Sequence, residues 1–284
     1  ASLPALGITG PGPAALAAGT SSAMILCYSQ FLPVEGTTSI MLDNTLPGLY
    51  GYASGQAAFG DLLGWFVSRC APEEVLRAAQ DAHISAHEEL SRRAALLHPG
   101  ESGLICLDWW NGNRSCLADM RLSGMLLGMT LQTRPEEIYR AMIEATAFGT
   151  RMIVDNFRAH GVAVEDFFAT GGISRKNGMA MQIYADVLHM PVRVADTDQG
   201  PALGSAIFAA AAAGSARGGY DTVAQAGAHM ASARYTVYHP DAGSAEIYDR
   251  LYAEYARLHD YFGRGENDVM KRLKRIREGA LKQH

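Results

Sequence analysis

The stretch from residue 166 to residue 213 reads DFFATGGISRKNGMAMQIYADVLHMPVRVADTDQGPALGSAIFAAAAA, and its alternation decides the fold. The apolar run Asp166 to Thr170 predicts a strand that Gly171-Gly172 ends, and the residues after it predict a helix from about Asn177 to Leu188. Val192 to Ala195 predicts a second strand, and Pro201 opens a second helix running to Ala213. Two successive strand-to-helix units predict an α/β fold, a mixed sheet flanked by helices, with ligands at the C-terminal ends of the strands. The polar turns Gly171 to Asn177 and Asp196-Thr197-Asp198-Gln199-Gly200-Pro201 would then flank one crevice.

Upstream, Ala14 to Ala18 and Ser22 to Tyr28 lie on either side of Gly19-Thr20-Ser21, which suits two antiparallel strands joined by a tight turn. Thr37 to Leu42 predicts another strand before the Asp43-Asn44 turn signal. Residues 1–13 hold Pro4, Gly7, Gly10, Pro11, Gly12 and Pro13, a density of helix breakers that predicts an irregular surface segment. Gln56 to Arg69 has apolar residues at helical spacing, and Pro72-Glu73-Glu74 opens a helix expected to reach Leu97. Leu104 to Leu107 predicts a strand leading into the loop Asp108 to Arg114, and Pro135 opens the longest helix, ended by His160-Gly161. Beyond Gly219 the pattern is helical, from about Glu246 to Phe262 and from Asn267 to Leu281.

With 284 residues, 48% of them hydrophobic, the chain can bury a sizeable core. A formal net charge of -5 argues against a nucleic-acid partner, and the basic run Lys271, Arg272, Lys274, Arg275 and Arg277 reads as a solvated helix face. Cys27, Cys70, Cys106 and Cys116 form no C-x-x-C pair, which suits a reducing compartment, the cytoplasm. The longest apolar run, Ala206 to Ala213, is far shorter than the roughly 20 residues a membrane span requires.

Two turns are candidates for chemistry. At Gly19-Thr20-Ser21-Ser22, backbone N–H groups and hydroxyls could converge on a phosphate oxygen, or the segment could be an ordinary turn. At Gly171 to Asn177 the glycines could admit a nucleotide against a helix N-terminus, or simply join strand to helix. Gly204, Ser205 and Ala206 read as close helix packing, and Trp109 and Trp110 as packing residues before rings that could stack on a base or sugar. His83 and His87, four apart on one expected helix, suggest no third metal ligand. No residue pattern marks a general base.

Five segments together carry a resemblance: Leu46 to Asp61, Leu107 to Arg114, Glu144 to Arg151, Gly171 to Asn177 and Gln199 to Phe208. They resemble the FGGY carbohydrate kinases, and the Asp108-Trp109-Trp110-Asn111-Gly112 loop and the helix Glu144 to Arg151 narrow the likeness to the ribulokinase group. The resemblance implies an actin-like, ribonuclease H-like fold of two lobes with sugar and MgATP in the cleft between them, this chain matching the second lobe. Residues 1–13 would continue from an upstream sugar-binding lobe, 14–262 would form the nucleotide-binding lobe, and 263–284 a helical extension.

The same resemblance puts Gly19, Thr20 and Ser21 near the transferring phosphate, Gly171, Gly172 and Asn177 on the adenosine side, and Ala202 and Gly204 at the closing of the nucleotide pocket. Gln56 is implied on the substrate side. The family's catalytic Asp is expected upstream of residue 1, so the chain alone should be an inactive fragment. It begins Ala-Ser-Leu-Pro without a Met, which fits processing or excision from a longer chain. Where ribulokinases carry Glu, this chain has Ala53, which bears on sugar choice: L-ribulose first, then D-ribulose, then xylulose or another ketopentose. The expected ligands are ATP and Mg²⁺, the expected partners a ketopentose and the upstream lobe, with a homodimer open and neither nucleic acid nor membrane expected. The alternative is a non-catalytic actin-like module that binds nucleotide or a partner protein.

Overall fold

The computed structural model describes residues 2–197, 199–231 and 234–282. A short helix α1 (Ser2–Ala5) precedes the hairpin β1 (Ala14–Ala18) and β2 (Ser22–Tyr28), then β3 (Ser39–Leu42) and β4 (Tyr50–Ser54). Three helices follow, α2 (Gly60–Arg69), α3 (Glu73–Asp81) and α4 (Ala86–Ala94), and then a small two-stranded sheet, β5 (Ile105–Leu107) with β6 (Met125–Leu127). The long α5 (Pro135–Ala159) leads to β7 (Phe167–Thr170), α6 (Gly172–Lys176), α7 (Gly178–Leu188), β8 (Val192–Ala195) and α8 (Gly200–Ala213). The chain continues through α9 (Val223–Met230), β9 (Tyr235–Tyr238), α10 (Ala242–Gly263) and α11 (Val269–Leu281).

The main sheet has seven strands in the order β3-β4-β2-β1-β7-β8-β9. Its centre is parallel, with Ala17 opposite Thr170 and Ala169 opposite Val194, and antiparallel strands extend it on both sides. Period-two alternation sends Ala14, Leu16, Ala18, Phe167 and Ala169 to one face, the main core beneath α5 and α7. Ala15 and Phe168 go to the other face, against Leu3, Leu6 and Ile8 of the N-terminal segment. Helices thus cover both faces, as a sheet with a parallel centre requires.

Several expectations change. Of the segment 1–13, Ser2 to Leu6 is not on the surface: Leu3 and Leu6 are fully buried, and α1 packs on α8 and α9. The prolines and glycines forbid a long helix but not burial of the apolar residues between them. The helix expected to begin at Gln56 begins at Gly60, because the Gln56 backbone continues the ladder, exchanging N–H···O bonds with Ser22 at 3.1 and 3.2 Å. The single helix expected from Pro72 breaks at His83, whose φ is 53°, and restarts at α4, where the Ser85 side chain accepts the Glu88 N–H. The strands β4, β6 and β9 were not anticipated; β9 is an edge strand inside a region read as helical.

Candidate functional site

Because β1, β7 and β8 run parallel, their C-terminal ends share one edge of the sheet, and the turns after them meet there. Gly171 has φ 105°, and a Cβ on it would lie 2.4 Å from the Ala18 carbonyl oxygen, so the turn after β7 is wedged against the end of β1. Gly172 is different: a Cβ there would meet no heavy atom within 4 Å, and the residue lines a cleft of about 580 Å³. Gly19 and Asn177 line the same cleft.

The Gly19-Thr20-Ser21 turn is held by the helix it faces. The carbonyls of Gly19 and Thr20 accept the N–H groups of Phe59, Gly60 and Asp61 at 2.9 to 3.0 Å, satisfying donors at the start of α2. Gly19 N–H bonds Ser21 carbonyl at 3.0 Å. Thr20 is exposed and Ser21 half-buried, so two hydroxyls stand at the sheet edge where charge-assisted bonds to a phosphate can form.

The opposite wall comes from α4 and α5. His87, Glu88 and Ser91 line it with Tyr139, and Asn177 reaches across from the start of α7 to donate from Nδ2 to Ser91 Oγ at 3.0 Å. His87 and Tyr139 line the site although the sequence marked Tyr139 not at all and His87 only as one of a histidine pair; the Asn177 side chain, which caps α7, is the link between the two walls. Lys176 and Glu88 bring opposite charges to the same cleft.

The start of α8 reaches this edge too: a Cβ on Gly200 would lie 2.7 Å from Thr170 Oγ1. Ala202 is exposed and Gly204 buried in α8, and neither lines the large cleft. Asp198 lies outside the described residues.

Gln56 is not free to meet a substrate. Its Oε1 accepts from Ser22 Oγ at 2.9 Å and from Thr150 Oγ1 at 3.1 Å, while its Nε2 donates to Asp108 Oδ2 at 3.0 Å and to the Thr146 carbonyl at 2.8 Å. All four hydrogen-bonding positions of the amide are used internally. Asp108 completes the cluster by accepting from Tyr255 OH at 2.9 Å, and burial pushes its carboxyl up to about 6. Gly149 makes room: a Cβ on it would come within 2.4 Å of Gln56 Nε2. The two motifs that narrow the resemblance therefore meet in a structural hub joining the sheet, α5 and α10. Trp109 is buried beside it, ring to ring with His259, and Ala53 sits in β4 away from the large cleft.

His83 stands in the turn between α3 and α4, and His87 Nδ1 lies 3.0 Å from Tyr139 OH, so the expected one-face pair does not exist. The basic helix α11 is tied down in part: Lys271 pairs with Asp119 at 2.6 Å, and Lys274 donates to the carbonyls of Met120 and Leu122. Among the described residues no helix is long and apolar enough to cross a membrane.

Residues 14–213 match the C-terminal domain of the FGGY family of carbohydrate kinases. The chain is 48% identical over 280 residues to a ribulokinase of Geobacillus thermodenitrificans, covering 99% of this chain and 50% of that protein. It is 50% identical over 276 residues to a ribulokinase of Bacillus licheniformis, covering 97% of this chain and 50% of that protein. The chain thus spans about half the length of the curated relatives it matches. Among solved structures, the xylulose kinase of Rhodospirillum rubrum superposes with a TM-score of 0.76 at 31% identity, over 92% of this chain and 49% of that one. The gluconate kinase of Lactobacillus acidophilus, at 19% identity and a TM-score of 0.76 over 93% of this chain and 50% of that one, shares the fold.

Proposed function

The chain belongs to the FGGY family of carbohydrate kinases, and on that premise we propose that the intact protein transfers the γ-phosphoryl group of ATP to a ketopentose, L-ribulose in the first place. The observation that carries this reading is the 48 to 50% identity to ribulokinases over nearly the whole chain. The cleft supports it, since Gly19 and the turn holding Gly172 and Asn177, about 150 residues apart in sequence, line one space. In this reading the chain supplies the nucleotide lobe, with Thr20 and Ser21 at the phosphates and Gly172 and Asn177 beside the nucleoside.

The sugar hydroxyl oxygen attacks the γ-phosphorus, the bond from that phosphorus to the β,γ-bridging oxygen breaks, and ADP leaves. The hydroxyl proton must go to a base, which we assign to the half of the protein upstream of residue 1, together with the sugar site. Among the described residues no group of three or more His, Cys, Asp and Glu side chains is placed to hold a metal ion. In phosphoryl transfer Mg²⁺ is held largely by phosphate and water, and none of the roles given to these residues depends on the ion. A cytoplasmic location accords with ATP as the donor.

The test is ketopentose-dependent ADP release by the intact protein, with L-ribulose, D-ribulose and xylulose compared. L-Ribulose should give the highest kcat/KM, and the 284-residue chain alone should give no release above background. Turnover by that chain alone in the usual range of about 1 to 10³ per second would overturn the placement of base and sugar site upstream.

A further inference from the structure

One wall of the cleft carries two side-chain hydrogen bonds, Asn177 to Ser91 and Tyr139 with His87. Asn177 Oδ1 accepts the Ala180 N–H at 3.0 Å, the N-cap bond of α7, which leaves Nδ2 as the amide atom facing Ser91 Oγ at 3.0 Å. The amide nitrogen can only donate, so the Ser91 hydroxyl accepts there. Tyr139 OH in turn lies 3.0 Å from His87 Nδ1. Tyr139 is buried and its hydroxyl proton needs an acceptor, so the hydroxyl donates and His87 Nδ1 accepts. A neutral imidazole that accepts at Nδ1 carries its proton on Nε2. Burial lowers the His87 pKa, which favours that neutral ring.

The position of His87 in the cleft gives this donor a use. At the inner end, α2 presses on the phosphate-side turn, since a Cβ on Gly60 would lie 2.7 Å from the Gly19 carbonyl oxygen and 3.1 Å from Ile173 Cδ1. The cleft that Gly19 lines is lined also by His87, Ser91 and Tyr139, so a nucleotide with its phosphates at Gly19 has this wall within the space open to its base. We propose that His87 selects the base, presenting its Nε2–H to the Watson–Crick edge of adenine. Adenine N1 accepts such a donor, whereas guanine N1 carries a hydrogen and opposes it, leaving two donors facing each other. Tyr139 is the positioning residue that holds the tautomer. This inference rests on the nucleotide reading of the cleft.

Calorimetric titration of the intact protein with ADP and with GDP tests it. His87→Phe keeps a ring and removes the donor; it should weaken ADP about tenfold without weakening GDP, so that the preference for adenine narrows. His87→Gln returns an amide donor and should restore much of the preference, and Tyr139→Phe, which frees the imidazole to change tautomer, should give an intermediate loss. A merely structural role for His87 would weaken both nucleotides equally in His87→Phe, and that result, or an unchanged ratio, overturns the proposal. Failure of the underlying reading looks different: wild-type protein that binds neither nucleotide removes the nucleotide from the cleft, and the base-selecting role with it.

Discussion

A Cβ at position 172 would meet nothing within 4 Å, whereas one at position 171 would sit 2.4 Å from a backbone oxygen at a φ of 105°. Gly171→Ala should therefore cost stability, on the order of 1 to 3 kcal/mol for the backbone conformation alone. Gly172→Val should melt near the wild type and weaken nucleotide binding more than sugar binding, because its branched side chain projects into the cleft. Equal affinity for an ATP analogue in folded Gly172→Val would remove this turn from the nucleotide site. The Asp108 carboxyl gives a pH-dependent expectation of definite sign. Its pKa in the folded chain, about 6, lies above the ordinary value of 3.8, so the folded state holds the proton more tightly between those limits. The Asp108 contribution to stability is thus greatest at the acid end and falls as pH rises through about 6. Asp108→Asn should abolish that part of the pH profile in urea titrations while lowering stability overall, since one amide oxygen cannot serve Tyr255 and Gln56 in place of two carboxylate oxygens. An unchanged profile would assign the dependence to other groups.

Among the elements, α5 does most to join the layers, and its polar residues show how. Arg140 donates to Glu144 at 2.8 Å, to Tyr248 of α10 at 2.7 Å and to the Ala94 carbonyl at the end of α4 at 2.9 Å, all out of solvent. Burial raises the Glu144 pKa, and the adjacent guanidinium works against that rise. Glu144→Ala leaves Arg140 buried with its charge unpaired and should cost about 3 to 5 kcal/mol in denaturant unfolding, against less than about 0.5 kcal/mol for a surface change such as Glu254→Ala. A loss under about 1 kcal/mol would mean that water reaches the pair. The break between α3 and α4 was legible in principle: Ser85-Ala-His-Glu88 has the spacing of a capping box, and the Ser85 side chain does accept the Glu88 N–H. The apolar period running on from Pro72 masked it. That break matters for function, because a separate α4 can turn its His87 and Ser91 toward α5 and the cleft.

On the scale of the whole molecule, exposed Trp65, Met129 and Leu127 and the open cleft belong to a chain about half as long as its curated relatives, and the activity proposed above needs the other half for its sugar and its base. The sequence by itself determined the α/β class, the hairpin around Gly19, the strand at Val192 to Ala195 and the long helix opened at Pro135, because periodicity, prolines and glycines act over a few neighbouring residues. It also carried the family, through motifs that proved to be largely architectural. Only the tertiary structure decided which residues share the cleft. Gln56 is locally indistinguishable from a surface amide, yet it is saturated by partners 34 to 94 residues away. His87 looked like half of a histidine pair and instead faces Tyr139, 52 residues on, because the helix broke before it. Hydrogen-bond partners at such separations are chosen by the packing of layers, and no local pattern in the chain records that choice.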